Sequence, residues 1–160
     1  MVDHFLRGDS GLPPCNAVVG LIVLDDGRYL MQLRSQKPGI FYPGHWGLFG
    51  GALEQDETAI AALRRELKEE LALDLAAASY FTEFVFDFRF RGLGRIWRKY
   101  YHIPIAADAI NQLVLGEGAD MSAFDPRDIL LRSRVVPYDA FAIWLHATGG
   151  NLDPSRSPLR

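Results

Sequence analysis

The stretch Gly50–Leu73, GGALEQDETAIAALRRELKEELAL, decides how this chain is read. Ile60, Leu63, Leu67 and Leu71 recur at three- and four-residue spacing, which predicts one apolar stripe along a helix over Gln55–Leu73. Asp56 or Glu57 at its N-terminal end suits the helix dipole. At about 100° of rotation per residue, Glu66 and Glu70 share one face a turn apart. Glu69 is rotated away from them, towards Arg65, its i, i+4 neighbour. Three carboxylates packed this closely repel one another, and a hard divalent cation, which takes oxygen ligands, relieves that repulsion. The Gly50-Gly51 turn upstream brings backbone carbonyl or amide groups towards the same point. A Glu-rich face flanked by Arg64, Arg65 and Lys68 is also the pattern of a solvated, ion-paired surface. The helix alone does not choose between the two.

Working outward, Ala17–Leu24 is a short, β-branched apolar run, followed by Asp25-Asp26-Gly27 and Arg28–Leu33, which reads as strand, turn and strand. Ser35–His45 carries two Pro-Gly pairs, Pro38-Gly39 and Pro43-Gly44, and is a loop. Trp46–Gly51 is an extended segment running into a tight turn. Phe84–Arg91 alternates, with Phe84, Phe86, Phe88 and Phe90 assigned to the core side. Gly92-Leu93-Gly94 turns the chain into a partner strand, Arg95–Ile105. Asp125-Pro126 opens a short helix to about Leu131, and Tyr138–Ala147 is the terminal helix. The order β, β, α, β, β, α, α predicts an α+β or mixed α/β domain with helices packed on a sheet. No G-x-G-x-x-G follows a strand, which excludes a dinucleotide-binding domain of the usual kind.

The chain has 160 residues, of which 49% are hydrophobic and 23% charged, enough apolar material for one buried core. Residues 1–12 and 151–160 are expected to be loose, with a single domain over 13–150. No apolar run approaches the roughly 20 residues of a membrane span, and a net charge of −3 argues against coating a nucleic acid polymer. The single cysteine, Cys15, excludes an internal disulfide and a cysteine-based zinc site. With no secretory signal in the first residues, the expected location is the cytoplasm.

The spacing then adds a family resemblance. Gly51, Glu57, Arg65-Glu66-Leu67, Glu69-Glu70 and Leu73 match eight of nine specified positions of the Nudix box, G-x5-E-x7-R-E-U-x-E-E-x-G-U, with U aliphatic. Trp46–Gly51, WGLFGG, is similar to the family's approach to that box. The resemblance implies a Nudix fold, an α/β/α sandwich with a mixed central sheet. It further implies Mg²⁺- or Mn²⁺-dependent hydrolysis of a nucleoside diphosphate linked to another group, in a MutT-like pyrophosphatase. Carried over, Glu66 and Glu70 are metal ligands, Glu69 is a further ligand or base, and the Gly50 carbonyl completes the site. Arg65 then orients the carboxylates through Glu69, and Glu57 braces the loop-to-helix corner. An extra catalytic carboxylate on a later loop is assigned to Glu117, with Asp120 behind it; its flanking glycines are taken to permit movement. Two departures stand out: Ala72 replaces the glycine at the helix exit, and Phe49 replaces the proline before the glycine pair.

A net-negative protein that takes a polyphosphate needs local positive charge. Arg34, at the end of the second strand, is the leading phosphate ligand by this resemblance, with Lys37 beside it. The basic hairpin supplies Arg89 and Arg91 as further candidates, and Trp97 offers a face on which a base can stack. The expected partner is a small nucleoside diphosphate derivative, handled by a monomer or homodimer. The subfamily signatures for ADP-ribose, NADH, diadenosine polyphosphates and coenzyme A are absent or faint. A catalytically silent nucleotide-binding or sensor module of the same fold is the alternative, and the complete R-E-x-x-E-E set argues against it.

Overall fold

The apolar run Ala17–Leu24 forms β1, and the sheet is built around it. The computed structural model describes residues 15–131 and 134–150, with Arg91 described by its backbone alone. The two segments expected to be loose lie outside the described residues. β1 pairs in parallel with β6 (Arg95–Ile105) along its whole length, from Ala17↔Arg98 to Leu24↔Ile105. Its other edge is shared by β4 (Phe49–Ala52) and β2 (Tyr29–Leu33), both antiparallel. β2 carries β3 (Trp46–Gly47) and β7 (Asp120–Phe124), and β5 (Ser79–Asp87) closes the far side against β6. The result is a mixed seven-stranded sheet.

Because side chains alternate across a strand, β1 buries both of its faces. Val18 and Ile22 pack against Leu63, Leu67 and Leu71 of α1 (Ala59–Leu71). Val19 and Leu21 belong to the opposite cluster, with Ile129 of α2 (Pro126–Leu131) and Ala142 and Ile143 of α3 (Pro137–Ala147). That is helix on both sides of one sheet, the expected α/β/α sandwich.

Several expectations shift. The helix expected over Gln55–Leu73 runs from Ala59 to Leu71. Thr58 is its N-cap and accepts from Ala61 N–H, while Asp56 adopts φ +61° in the preceding turn. A capping side chain fixes the start better than acidic charge does. β5 starts five residues earlier than the alternating phenylalanines, and ends at Asp87, where Arg89–Arg91 turns into a short 3₁₀ segment. Phe90 is therefore 80% exposed and not a core residue, whereas Phe84 packs against the α3-side core. β7 has a weak strand sequence and exists through its pairing with β2.

Ala72 ends α1 in the left-handed region, φ 53° and ψ 23°, with its N–H on Lys68 O and the Leu73 N–H on Leu67 O. This is a Schellman-type exit, where a β-carbon is strained. Ala72→Gly is accordingly expected to stabilise the protein by about 0.5–1 kcal/mol, raising Tm by about 1–4 °C at this chain length. Thermal denaturation followed by circular dichroism checks it, and a lower Tm contradicts it.

Candidate active site

Two backbone approaches set the site. Gly50 sits at φ +131°, where a β-carbon would lie 2.2 Å from the Val18 carbonyl oxygen, so the β4 backbone lies flush against β1. At Gly51 a β-carbon would lie 2.4 Å from the Glu66 carboxyl carbon. The glycine pair thus leaves room for α1 to bring its carboxylates onto the β4 backbone.

Glu70 is only 5% exposed and holds two donors, Gln32 Nε2 at 3.0 Å and the Gly50 N–H at 2.8 Å. Burial pushes its carboxyl up to about 7, against the pull of those two hydrogen bonds. The nearby charges of Glu66 and Glu117 push it the same way as burial. Glu66 is half-buried and also raised by burial, opposed by Arg65, whose Nη1 donates to it at 2.7 Å. Arg65 is the organiser of this corner. It forks onto Glu57, with Nε and Nη2 at 3.1 and 2.9 Å from the two carboxylate oxygens, and donates to Ala52 O at 3.0 Å. Glu57 is held below the ordinary carboxylate range by Arg65, and its Oε2 accepts from Glu54 N–H. Glu57 thus ties the loop backbone at Glu54 to Arg65 of α1. Arg65 does not act mainly through Glu69, which is 3.5 Å away and 57% exposed; it aligns Glu66 directly.

Glu66 and Glu70 open onto a cleft of about 560 Å³ lined also by Gly50, Glu117, Arg34 and Lys37. Glu117 reaches it because its loop crosses the end of α1. Gly116 N–H bonds Glu70 O at 2.8 Å, and a β-carbon on Gly116 would lie 2.2 Å from Glu69 O. That glycine serves close packing and not mobility. Asp120 stands at the head of β7, paired with Leu33.

Arg34 spends its Nε on Phe41 O at 2.7 Å, while its own backbone N–H and C=O close the loop onto His45 O and Gly44 N–H. Among the described side chains, the hairpin candidates Arg89 and Trp97 do not line the cleft. Arg89 and Arg95 both clasp Asp87. Arg98 lies 4.2 Å over the Tyr138 ring, and Lys99 sits over Trp97 and 3.7 Å from Glu83. Trp97 lies on the α1-side core, and the Arg91 side chain lies outside the described residues.

Two supporting residues went unread in the sequence. Gln32 is an amide side chain buried in the run YLMQL, and that polarity inside a buried strand was the signal. Asp139 is buried at the start of α3, accepting from Leu48 N–H at 3.0 Å and Tyr100 OH at 3.1 Å. It pins the segment leading to Gly50.

Among the described residues no three His, Cys, Asp or Glu side chains are already drawn into one ligand cluster. Glu66 and Glu70 are instead committed to Arg65, Gln32 and Gly50 N–H. The donor set nonetheless suits a hard divalent cation: carboxylate oxygens on one cleft, two of them penalised by burial and by mutual repulsion.

Comparison with known proteins gives the same architecture a family. The NUDIX domain model matches residues 14–151. The chain belongs to the Nudix family. The nucleoside triphosphatase NudI of Enterobacter sp. (strain 638) is 44% identical over 54 residues, 34% of this chain and 38% of the relative. Matches to NudI from Escherichia coli strains are similar, at 41% over 58 residues, so the chain spans about two fifths of the length of these curated relatives. Among solved structures, the MutT protein of Methanosarcina mazei Go1 superposes with a TM-score of 0.67 at 21% identity, covering 82% of this chain and 91% of that one. The NUDIX domain of Shewanella oneidensis NrtR, solved with ADP ribose, gives 0.62 at 18% identity, covering 89% and 95%. At such identities the Nudix fold is what is shared.

The two glycines predict opposite phenotypes. Gly51→Ala meets only the carboxylate end of the Glu66 side chain and no backbone, and should leave Tm within about 2 °C while displacing that carboxylate and lowering turnover at least about 100-fold. Gly50→Ala meets the Val18 backbone at positive φ and should cost about 2 kcal/mol or more. Thermal melts paired with nucleotide hydrolysis separate them, and equal loss of stability in both contradicts the geometry.

Proposed function

We propose that this chain is a divalent-metal-dependent pyrophosphohydrolase, cleaving a phosphoanhydride bond in a nucleoside diphosphate linked to another group, with Mg²⁺ or Mn²⁺ as cofactor. The carrying observation is the convergence of Glu66, Glu70 and Glu117 with Arg34 and Lys37 on one cleft. The similarity to nucleoside triphosphatases supports a nucleoside triphosphate as the substrate. Under this reading the protein works in the cytoplasm on a small nucleotide, as a monomer or homodimer.

Glu66, Glu70 and the Gly50 carbonyl would hold the cation, with Glu69 or Glu117 as a further ligand or base. A bound divalent cation supplies Lewis acidity and charge neutralisation to phosphate oxygens. The remaining work falls to the chain. Arg65 holds Glu66 in place, and the Gly50 N–H and Gln32 hold Glu70, so the carboxylates are positioned before substrate arrives. Glu117 is exposed on the cleft and Glu69 does not line it, which supports Glu117 as the base that takes a proton from an attacking water. Arg34 offers its terminal guanidinium nitrogens to phosphate while its Nε anchors the loop. A module that only binds nucleotide has no use for the Arg65–Glu57–Glu66 brace, which favours hydrolysis over sensing.

Release of nucleoside monophosphate from a panel of nucleoside triphosphates and nucleotide sugars is the test. Turnover is expected with millimolar Mg²⁺ and abolished by excess EDTA; turnover unchanged in EDTA contradicts the reading. Arg34→Ala is expected to raise KM more than it lowers kcat, because the lost contact serves ground and transition states alike. An unchanged KM moves phosphate recognition elsewhere.

A further inference from the structure

Some cations among the described residues are ion-paired and others are not. Arg28, Arg65, Lys68, Arg89, Arg95 and Lys99 each lie within 4.0 Å of a carboxylate. Lys37 and Arg134 form no ion pair among the described residues, and they face one pocket. That pocket, about 500 Å³, is walled by Gln36, Lys37, Pro38, Pro43, His45 and Arg134. Lys37 also lines the carboxylate cleft, so the two spaces meet at its side chain.

Both walls are built on fixed backbone. Arg134 O accepts from Trp46 N–H at 2.9 Å, and Val136 N–H returns to Trp46 O at 2.8 Å, so the residue is clamped to β3. The opposite wall is the loop closed by Arg34: Arg34 N–H on His45 O, Gly44 N–H on Arg34 O, and Arg34 Nε on Phe41 O. His45 Nδ1 lies 3.0 Å from Pro43 O, which fixes its ring within this wall. Lys37 and Arg134 thus present two like charges to one pocket with no carboxylate partner among the described residues, an arrangement that suits an anion.

We propose that this pocket is a subsite for the terminal phosphoryl group of a polyphosphate-bearing nucleotide, reached from the carboxylate cleft past Lys37. The proposal deepens the hydrolase reading and rests on it for the identity of the bond cleaved. Phosphates at Glu66, Glu70 and Glu117 face carboxylates and need the cation for neutralisation. A terminal phosphoryl group, carrying the largest charge of the chain, would be repelled there. Lys37 and the Arg134 fork neutralise it without a metal. A neutral sugar in the same place leaves both cations unanswered. The substrate class selected is a nucleoside triphosphate or longer polyphosphate over a diphosphate sugar.

The test uses inorganic tripolyphosphate titrated calorimetrically into the metal-free full chain. Arg134→Ala and Lys37→Ala are each expected to weaken binding about tenfold or more, the usual scale of one charge-assisted contact. Arg28→Ala, which removes an ion-paired cation, controls for net charge and should leave affinity within about twofold. In turnover, the ratio of kcat/KM for a nucleoside triphosphate over the matching diphosphate sugar is expected to fall about tenfold in Arg134→Ala. Wild-type affinity in Arg134→Ala, or a loss equal to that in Arg28→Ala, overturns the subsite. If no nucleotide is hydrolysed with Mg²⁺ while tripolyphosphate binding still depends on Arg134, the hydrolase reading falls and the subsite stands. If nucleotides are hydrolysed but neither affinity nor ratio responds to Arg134, the subsite falls and the hydrolase reading stands.

Discussion

The hydrogen bond from the Gly50 N–H to the buried carboxylate of Glu70 joins the sheet to the helix at the place where chemistry is expected. For it to form, β4 must run flush against β1, and only a glycine tolerates both the positive φ and the Val18 carbonyl at Gly50. The α1 stripe of Leu63, Leu67 and Leu71 must in turn seat on Val18 and Ile22. The packing on that side of the sheet therefore fixes where Glu70 and, one turn earlier, Glu66 emerge. Burying a carboxylate is costly unless it is satisfied, and Gln32 supplies the second donor.

The other side of the sheet contributes to the same point by a different route. Asp139, buried at the start of α3, accepts from Leu48 N–H two residues before Gly50 and from Tyr100 OH on β6. The Arg98 guanidinium over Tyr138 keeps positive charge close to that carboxylate, opposing the rise that burial imposes. A buried acid on one face of the sheet thus steadies the turn that holds a buried acid on the other. Arg65 does the equivalent work at the entrance of α1, tying Glu57, Ala52 O and Glu66 together.

Much of this was legible in the residues because it is local. The α1 stripe, the pairing of Glu66 with Glu70 on one face and the Asp25–Gly27 turn all follow from short-range spacing, and the structure contains each of them. The mixed α/β class followed from the order of those elements, and the α/β/α sandwich from the family resemblance. What escaped depends on partners far along the chain. β7 is a strand because β2 lies beside it, and Gln32 and Asp139 matter because of residues 38 and 91 positions away. The basic hairpin misled for the same reason. Its arginines read as free charge in sequence, yet Asp87 lies between them in space and engages both Arg89 and Arg95. Glu117 lines the cleft, and its flanking glycines serve close packing: Gly116 against the end of α1 and Gly118 against Gln32 and Leu33 of β2.

The central claim is that two carboxylates positioned by the glycine pair and by Arg65 make a divalent-cation site. Mn²⁺ binding followed by paramagnetic resonance tests it without reference to any substrate. Wild-type protein is expected to bind Mn²⁺, with Glu66→Gln and Glu70→Gln each weakening it at least about tenfold and Glu69→Gln weakening it less. Retention of wild-type Mn²⁺ affinity by Glu70→Gln would contradict the account.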